Sequence, residues 1–424
     1  MGKPKIRFKG YTEDWEQRKL GDLVDRVTRK NQDLVSELPL TISAQYGLID
    51  QNKFFDKRVA SKDVSGYYLI ENGEFAYNKS TSTDAPWGAI KRLDRYENGV
   101  LSTLYIVFGI KENNPVDSDF LVSYYSTNLW HKGIHEIAAE GARNHGLLNI
   151  APADFFETEL MIPQDIEEQK KIGKYFEKLE RLITLHQRKR DETKNLKKYM
   201  LQKMFPQNGQ PVPEIRFSGF TEDWEQRKLG DLLVGLQNNT LSRADLSSDT
   251  GVAKNVHYGD VLIKFSEVLD VSKEQLPMIS DESVLTKYKD SFLQNGDVIV
   301  ADTAEDSTVG KCSEIAGLND EVVLSGLHTI PYRSVEKFAS GYLGYYLNSS
   351  AYHNQLIPLM QGIKVTSISK SAMQDTNIVY PKSQEEQGKI GAYFRSLDEM
   401  ITLHQRECDE LQNIKKYMLQ NMFV

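Results

Sequence analysis

Cysteine is scarce in this 424-residue sequence, which contains only Cys312 and Cys408. Two cysteines cannot form the disulfide framework of a small secreted domain, so we expect a reducing, cytoplasmic environment. Long apolar runs are also missing: the longest, at 100–110, is interrupted by Ser102 and Thr103 and is too short to span a bilayer. The opening MGKPKIRFKG has no apolar core of a signal peptide. We therefore expect no membrane association.

Motifs of common catalytic sites are absent as well. The sequence has no phosphate-binding G-x-x-x-x-G-K loop, no H-E-x-x-H, no cysteine pairs at zinc spacing and no nucleophile elbow. Asp84-Ala85-Pro86-Trp87 is similar to the D/N-P-P-aromatic signature of amino-methyltransferases, but its second residue is alanine and no glycine-rich cofactor loop precedes it. We therefore interpret it as an ordinary loop. The sequence favours a binding protein with no catalytic residue and no metal site over an enzyme.

Positive charge is in deficit: 60 acidic residues stand against 52 basic ones, for a formal net charge of −8. The hydrophobic content of 40% and the charged content of 26% are those of a globular chain. An acidic chain disfavours loose binding to nucleic acid. It does not exclude specific binding, because a local basic surface is what meets the phosphates.

The most informative feature is an internal duplication. Residues 6–23 and 215–232 are identical at 16 of 18 positions, at an offset of 215 − 6 = 209. Residues 167–205 and 385–423 are identical at 26 of 39 positions, at an offset of 385 − 167 = 218. The middles differ, and the second is longer by nine residues (218 − 209). Because Trp15 and Trp224 belong to this repeated frame, we expect them to be packing anchors rather than ligand contacts.

The second repeated segment predicts a long helix in each half. Each copy follows a proline, and Asp165 or Ser383 can cap its first turn. About 38 residues at ~1.5 Å each predict a rod of about 57 Å. The apolar residues recur with four–three spacing, and a single apolar seam needs a partner, so we predict that the helices pair as an antiparallel coiled coil. The predicted seam contains Phe176, Leu179, Ile183, His186, Phe394, Leu397, Ile401 and His404.

The two seam histidines have two interpretations. Together with Cys408, His186 and His404 could bind a metal ion. We favour polar seam residues that set the register of the helices. In the first copy the apolar pattern weakens at Arg190 and Thr193, and we expect it to return at Leu196, Met200 and Met204.

The divergent middles predict mixed domains of short strands, turns and helices. Asn72-Gly73 and Asn295-Gly296 predict equivalent turns, and residues 120–131 and 342–353 each predict a helix. The fold class is therefore α+β, with two mixed domains separated by a pair of long antiparallel coiled-coil helices and a pseudo-twofold internal repeat. The predicted boundaries are 1–160 for the first domain, 161–205 for its long helix, 206–214 for a linker, 215–380 for the second domain and 381–424 for the second long helix.

Polar loops in the two middles are the best candidates for contact with bases. Arginine and asparagine side chains read the edges of guanine and adenine, and both occur at 143–144. Loops at 303–308 and 364–367 occupy the matching places in the second half. The candidate contact residues are Lys79, Ser80, Thr81, Thr83, Arg143, Asn144, His145, Thr303, Lys364, Thr366 and Ser367.

The duplicated frame resembles a known family over the whole chain. RFKGYTEDWEQRKLGD and PQDIEEQKKIG, with their second copies RFSGFTEDWEQRKLGD and PKSQEEQGKIG, enclose two unlike middles. This arrangement is similar to that of the DNA sequence-specificity subunits of type I restriction-modification systems. The resemblance implies that each middle is a target recognition domain for one half of a bipartite, asymmetric DNA sequence. It also implies that the long helices fix the spacing of the two halves.

The resemblance further implies partner subunits. Two methyltransferase (modification) subunits would dock on the helices and frame segments, bind S-adenosylmethionine and methylate adenine N6 after flipping the base out of the double-stranded DNA. Two restriction/translocase subunits, which use ATP and Mg, would join for cleavage. The chain itself would then hold no cofactor and no catalytic residue. The sequence leaves open the DNA target, the spacer length and the assignment of domains to half-sites.

Two other functions remain open from the residues alone. A DNA-binding or scaffolding protein without a methyltransferase partner would share the fold, and DNA would then follow the basic face of the first long helix at Lys170, Lys171, Lys174 and Lys178. A stand-alone methyltransferase-nuclease is disfavoured by the missing cofactor loop. A stoichiometric partner would exclude the first alternative, and S-adenosylmethionine binding by the isolated chain would revive the second.

Overall fold

The protein is described by a computed structural model that covers residues 2–43, 46–83, 85–112, 114, 116–138, 146–207 and 209–424. The chain forms two compact units, Met1–His186 with Arg406–Val424 and Gln187–Gln405. Each of the two long helices begins in one unit and ends in the other. Among the residues described, no helix is long and apolar enough to cross a membrane.

The first unit combines short strands with short helices and one long helix. Its strands are β1 (Glu16–Lys19), β2 (Val24–Val27), β3 (Leu40–Ser43), β4 (Gly47–Asp50), β5 (Tyr68–Glu71), β6 (Phe75–Asn78), β7 (Ala89–Arg92), β8 (Asn98–Leu101), β9 (Ile106–Ile110) and β10 (Glu159–Ile162). Its helices are α1 (Leu20–Leu23), α2 (Gln51–Phe55), α3 (Ser118–Tyr124), α4 (Trp130–Ile137), α5 (Pro152–Phe156) and the first part of α6 (Ile166–Lys203).

The second unit has the same mixture. Its strands are β11 (Glu225–Lys228), β12 (Leu233–Gly235), β13 (Leu246–Ser247), β14 (Ala253–Val256), β15 (Val268–Asp270), β16 (Met278–Ile279), β17 (Val298–Ala301), β18 (Thr303–Ala304), β19 (Cys312–Ala316), β20 (Val323–Ser325), β21 (Thr329–Ser334), β22 (Thr366–Ser367) and β23 (Asn377–Tyr380). Its helices are α7 (Leu229–Leu232), α8 (Tyr258–Ile263), α9 (Ser283–Lys287), α10 (Tyr342–Asn348), α11 (Ser350–Leu356), α12 (Lys370–Gln374) and the first part of α13 (Gln384–Asn421).

An antiparallel sheet in the order β2-β9-β6-β7 lies at the centre of the first unit. The predicted Asn-Gly turn precedes β6, and Gly73 adopts a φ of 87°, a conformation that glycine tolerates. Phe75 stacks on Phe108 with ring centroids 5.4 Å apart. Tyr77 stacks on Phe155 at 5.0 Å. These four rings are at most 1% exposed and form the core against which the other elements pack.

The second unit repeats this sheet in the order β12-β21-β17-β19 and adds β15, which runs parallel to β19. Its equivalent turn is also present, since Gly296 has a φ of 91° just before β17. Phe75 follows the first turn and pairs with Arg92, and Val298 follows the second turn and pairs with Glu314. The second unit also contains the sheet β13-β16-β14-β20, and the first unit contains the two-stranded sheets β3-β4 and β5-β8. The α+β prediction is therefore confirmed.

The repeated frame packs around its tryptophans. Trp15 and Trp224 are 3% and 5% exposed, so the prediction that they are packing anchors is confirmed. Trp15 meets Phe423 edge-on with ring centroids 6.1 Å apart. Trp224 meets Phe205 in the same way at 6.4 Å. The tryptophan of each unit therefore packs against the phenylalanine that follows the end of a long helix begun in the other unit.

The long helices begin and pair as predicted. Both contain 38 residues; the Glu167 amide donates to Asp165 Oδ1 at 2.8 Å, and Ser383 Oγ caps α13 in the same manner. In the second unit Lys197 of α6 contacts Asp398 of α13 at 2.6 Å. Arg190 lies seven residues before Lys197, and its partner Gln405 lies seven residues after Asp398. The pairing is therefore antiparallel. In the first unit Lys415 pairs with Glu180 in the same sense.

The prediction that the first seam returns at Leu196, Met200 and Met204 was wrong at Leu196 but is confirmed at the two methionines, because Met204 is 2% exposed and Met200 packs partly buried against the same core. Leu196 is 45% exposed, and Lys197 occupies the seam position instead. Its Nζ lies 2.6 Å from both Asp398 Oδ1 and Glu267 Oε2. The four–three spacing of the seam continues through residues 190, 193 and 197. The carboxylates of Asp398 and Glu267 compensate for the buried positive charge of Lys197.

The single helices predicted at 120–131 and 342–353 were also wrong. The first segment contains the end of α3 and the start of α4, separated by a turn in which the Thr127 hydroxyl donates to the Tyr124 carbonyl at 2.7 Å. In the second segment Ser349 separates α10 from α11, with its hydroxyl bonded to the Tyr346 carbonyl. Short hydroxyl side chains that bond their own backbone end helices in this way.

Candidate nucleic-acid interface

A short ladder brings the predicted contact loops of the second unit together. Thr303 pairs with Ser367 and Ala304 with Thr366 in the antiparallel ribbon β18-β22. The Ile368 amide donates to the Asp302 carbonyl at 2.9 Å and extends this ladder. Sequence-distant candidates therefore lie side by side.

The loop that closes this ribbon is exposed. The amide of Ser367 and the carbonyl of Gln361 lie 2.8 Å apart, which fixes both ends of the loop. Between them Lys364 is exposed, and Ile363 is fully exposed. The loop thus presents a cation and an apolar side chain next to Thr366 and Ser367.

The first unit has a matching ladder. The Leu148 amide donates to the Lys79 carbonyl at 3.0 Å, Ser80 forms an isolated bridge with Leu147, and the Thr81 amide donates to the Gly146 carbonyl at 2.7 Å. The ladder therefore joins the loop at 79–83 to residues 146–148, which follow the segment predicted as a second contact loop. Thr83 is exposed in the first of these loops. Arg143, Asn144 and His145, and also Asp84, lie outside the described residues.

The two ladders share a scaffold and differ in chemistry. Leu148 and Ile368 occupy equivalent positions and are each 4% exposed, so each ladder is anchored in its own core. The strand residue bonded to this anchor is Lys79 in the first unit and Asp302 in the second. One fold therefore presents two different surfaces.

Lys79 is less available for contact with a ligand than its place in a polar loop of the sequence suggests. The residue is only partly exposed, and its Nζ lies 3.5 Å from the Ile150 carbonyl. Burial lowers the pKa of this amino group below its usual value.

Sequence reasoning missed His328, which lies beside the second ladder. Its Nδ1 is 3.5 Å from Asp302 Oδ1, and its ring meets Tyr258 edge-on with centroids 5.3 Å apart. His328 adopts a φ of 57°, which is uncommon for a residue other than glycine. No motif marks this position, because the contact with Asp302 exists only after the sheet has formed.

The predicted seam residues lie on the buried side of the long helices. Phe176, Leu179, Ile183, Phe394 and Leu397 are at most 7% exposed, and Ile401, His186 and His404 are half-buried. Cys408 is buried with its Sγ 3.7 Å from the Ile183 carbonyl. Within the described ranges, no group of three histidine, cysteine, aspartate or glutamate side chains is placed to hold a metal ion.

The basic face of α6 is partly engaged within the first unit. Lys170 pairs with Glu167 at 2.8 Å, and the Nζ of Lys171 lies 4.8 Å from the ring centroid of Tyr11. These contacts reduce the charge that the face could offer to a polyanion.

The chain thus contains two mixed domains of one fold, which present different loops, and two long paired helices. The family model for the type I restriction modification DNA specificity domain matches residues 12–195 and again residues 221–413. The chain belongs to this family and is a DNA-recognition subunit of a type I restriction-modification system.

The chain is also similar to individual proteins and solved structures. A type I restriction enzyme specificity subunit (MjaVIII) from Methanocaldococcus jannaschii is 22% identical over 420 residues, which cover 96% of this chain and 91% of that one. The crystal structure of a type I S subunit from M. genitalium has a TM-score of 0.53 at 13% identity, covering 100% of this chain and 99% of that one. A chain from a study of complex assembly and conformational transition in the type I R-M system has a TM-score of 0.50 at 17% identity, covering 97% and 98%. At these identities the structures support the fold alone.

Proposed function

We propose that the two mixed domains, at 1–160 and 215–380, are target recognition domains that each read one half of a bipartite, asymmetric DNA sequence. The observation that carries this proposal is the repeated ladder, in which an equivalent anchor, Leu148 or Ile368, supports polar residues of different chemistry. Two readers with separate specificities need a common scaffold and unlike surfaces. The proposed contact residues of the second reader are Thr303, Lys364, Thr366 and Ser367, and those of the first lie at 79–83 and 143–145.

The long helices, at 161–205 and 381–424, would act as the spacer and as the docking platform. Two helices of 38 residues can separate two readers by about the 34 Å of one DNA turn. Two modification subunits would dock here, and each would carry S-adenosylmethionine and methylate adenine N6. Two restriction/translocase subunits that use ATP and Mg would join for cleavage in the cytoplasm. This chain would supply recognition and no catalytic group.

The first test is co-expression with the modification subunit encoded beside this chain, followed by the mass of the purified complex and methylome sequencing. We expect one copy of this chain with two modification subunits, and methylated adenines within one bipartite, asymmetric motif. A lone chain that binds DNA would favour the partner-free binder instead. Binding of S-adenosylmethionine by the isolated chain would overturn the non-catalytic role.

A residue-level test separates the two readers. Replacing Arg143 and Asn144 with alanine should impair recognition of one half-site, and replacing Thr303 and Ser367 should impair the other. Both variants should still assemble with the modification subunits. Loss of assembly would identify these residues as structural.

A further inference from the structure

The backbone of His328 is held in a conformation that most residues avoid. Its φ of 57° lies in the left-handed region, at the turn between β20 and β21. Such a conformation persists where the surrounding structure determines it, and it is often found at functional sites. The position therefore needs a physical explanation in the residues around it.

A buried polar network fixes this turn. Asn239 donates to the Asn255 side chain at 2.7 Å and to the Ser325 carbonyl at 2.9 Å. The hydroxyls of Ser325 and Thr329 lie 2.6 Å apart. These four residues flank the turn on both sides and are at most 2% exposed. These hydrogen bonds favour one geometry of the turn, because breaking them would leave further buried polar groups unpaired.

The network holds an exposed side chain. The His328 side chain is 48% exposed, and its Nδ1 faces Asp302 Oδ1 at 3.5 Å. The same carboxylate oxygen accepts a hydrogen bond from the Thr303 hydroxyl at 2.7 Å. The Asp302 amide donates to the His328 carbonyl at 3.1 Å. Asp302 therefore holds His328 next to a residue of the proposed contact ladder.

In the neutral imidazole, the Asp302 carboxylate beside Nδ1 selects the tautomer with its proton on Nδ1, and Nε2 is then a hydrogen-bond acceptor. An acidic group is repelled by DNA phosphates, so the Asp302–His328 pair suits a groove and not the sugar-phosphate backbone. In the major groove, the exocyclic amino groups of adenine and cytosine are the donors that an acceptor can read.

We propose that His328 reads the amino group of an adenine or cytosine in the half-site of the second domain, and that Asp302 is the positioning residue that sets its tautomer. This inference rests on the proposed function of the second domain. It assigns one base pair of the half-site to a residue outside the contact loops predicted from sequence.

The test uses the complex assembled with modification subunits and a set of duplexes in which each base pair of both half-sites is changed singly. For His328→Asn, we expect discrimination to fall by about 5- to 150-fold, the equivalent of ~1–3 kcal/mol, at one base pair of one half-site. Asp302→Asn should weaken discrimination at the same base pair. Val335→Ser is the matched control, because this 58% exposed residue follows the opposite end of β21.

His328→Gly separates recognition from folding, because glycine tolerates the left-handed backbone. We expect its thermal unfolding midpoint to match that of the unaltered protein while discrimination is lost. Unchanged discrimination in the His328 variants, or an equal loss at every base pair, would overturn the assignment. If the unaltered complex itself shows no half-site preference, the proposed function of the domain fails instead, so the two failures are distinguishable.

Discussion

Arg7 holds Glu168 in a two-point ion pair, with Nε 2.6 Å from Oε1 and Nη2 2.8 Å from Oε2. Arg216 holds Glu386 in the same way, at 2.7 and 2.9 Å. The two carboxylate side chains are 1% and 2% exposed. The repeated arginine at the start of each half therefore neutralises a buried acid in the first turn of each long helix, which ties the frame segment to the helix.

We expect Arg7→Ala and Arg216→Ala each to lower the free energy of unfolding by ~3–5 kcal/mol, because each leaves a buried carboxylate unpaired. Hydrogen exchange should place the loss in the first unit for Arg7→Ala and in the second for Arg216→Ala. Arg406→Ala is the control, since its pair with Glu410 is exposed and 3.9 Å long, and it should change stability little. Equal, small effects of all three substitutions would contradict this account.

Glycine at the start of the long helices allows a close approach to the domain. A Cβ on Gly391 would lie 2.8 Å from the Ser340 carbonyl oxygen, and a Cβ on Gly173 would lie 2.8 Å from the Phe120 amide nitrogen. We expect Gly391→Ala and Gly173→Ala to destabilise by ~1–3 kcal/mol in denaturant unfolding.

Gly388 provides the control within the same helix. Its nearest contact would be the Ala339 Cβ at an ordinary 3.9 Å, so Gly388→Ala should stabilise by up to ~1 kcal/mol through helix propensity. If Gly388→Ala and Gly391→Ala had effects of the same sign, close packing would not be the reason for Gly391.

A buried acid in the second unit predicts a pH dependence. Glu314 accepts hydrogen bonds from the amides of Gly341 and Gly344, at 2.5 and 3.0 Å, yet burial raises its pKa from 4.5 to about 7. Between these two pH values the folded state keeps a proton that the unfolded state has lost. The stabilisation that comes from the protonated Glu314 side chain is therefore fully present below pH 4.5 and is lost as the pH rises through about 7. Over this range the free energy of unfolding falls by ~3 kcal/mol.

Glu314→Gln removes this titration. We expect the unfolding free energies of the two proteins to converge or reverse as the pH rises from 5 to 8, measured by denaturant unfolding at each pH. Curves that stay parallel over this range would show that Glu314 titrates alike in both states.

The long helices could be predicted from the sequence because their periodicity is strong and is repeated twice. Their 38 residues, their caps and their antiparallel pairing all follow from local pattern and duplication. Lys197 could not be predicted as a seam residue, because its partner Glu267 is 70 residues away and meets it only in the folded unit. His328 escaped prediction for the same reason: neither its backbone conformation nor its contact with Asp302 is encoded locally.

The pairing also explains why a charged seam can be stable. Lys197 pairs with Asp398, and at the duplicated position Lys415 pairs with Glu180, so the same compensation occurs in both units. A lysine in an apolar pattern is therefore better interpreted as an ion-paired register residue than as an interruption of the seam.

The spacer role predicts the effect of lengthening both helices. The boundary between the two compact units falls between residues 186 and 187 in α6 and between residues 405 and 406 in α13. Insertions at these two points therefore leave the contacts within each unit in place. Three heptads at both points keep the seam in register and add about 32 Å, close to one DNA turn of ~34 Å. We expect the methylated motif to gain a spacer longer by about nine base pairs, as measured by methylome sequencing.

The same 21 residues inserted as a glycine-serine chain into the linker at 206–214 should leave the spacer unchanged. If the linker insertion shifts the spacer and the paired helix insertion does not, the distance between the half-sites is set outside the coiled coil.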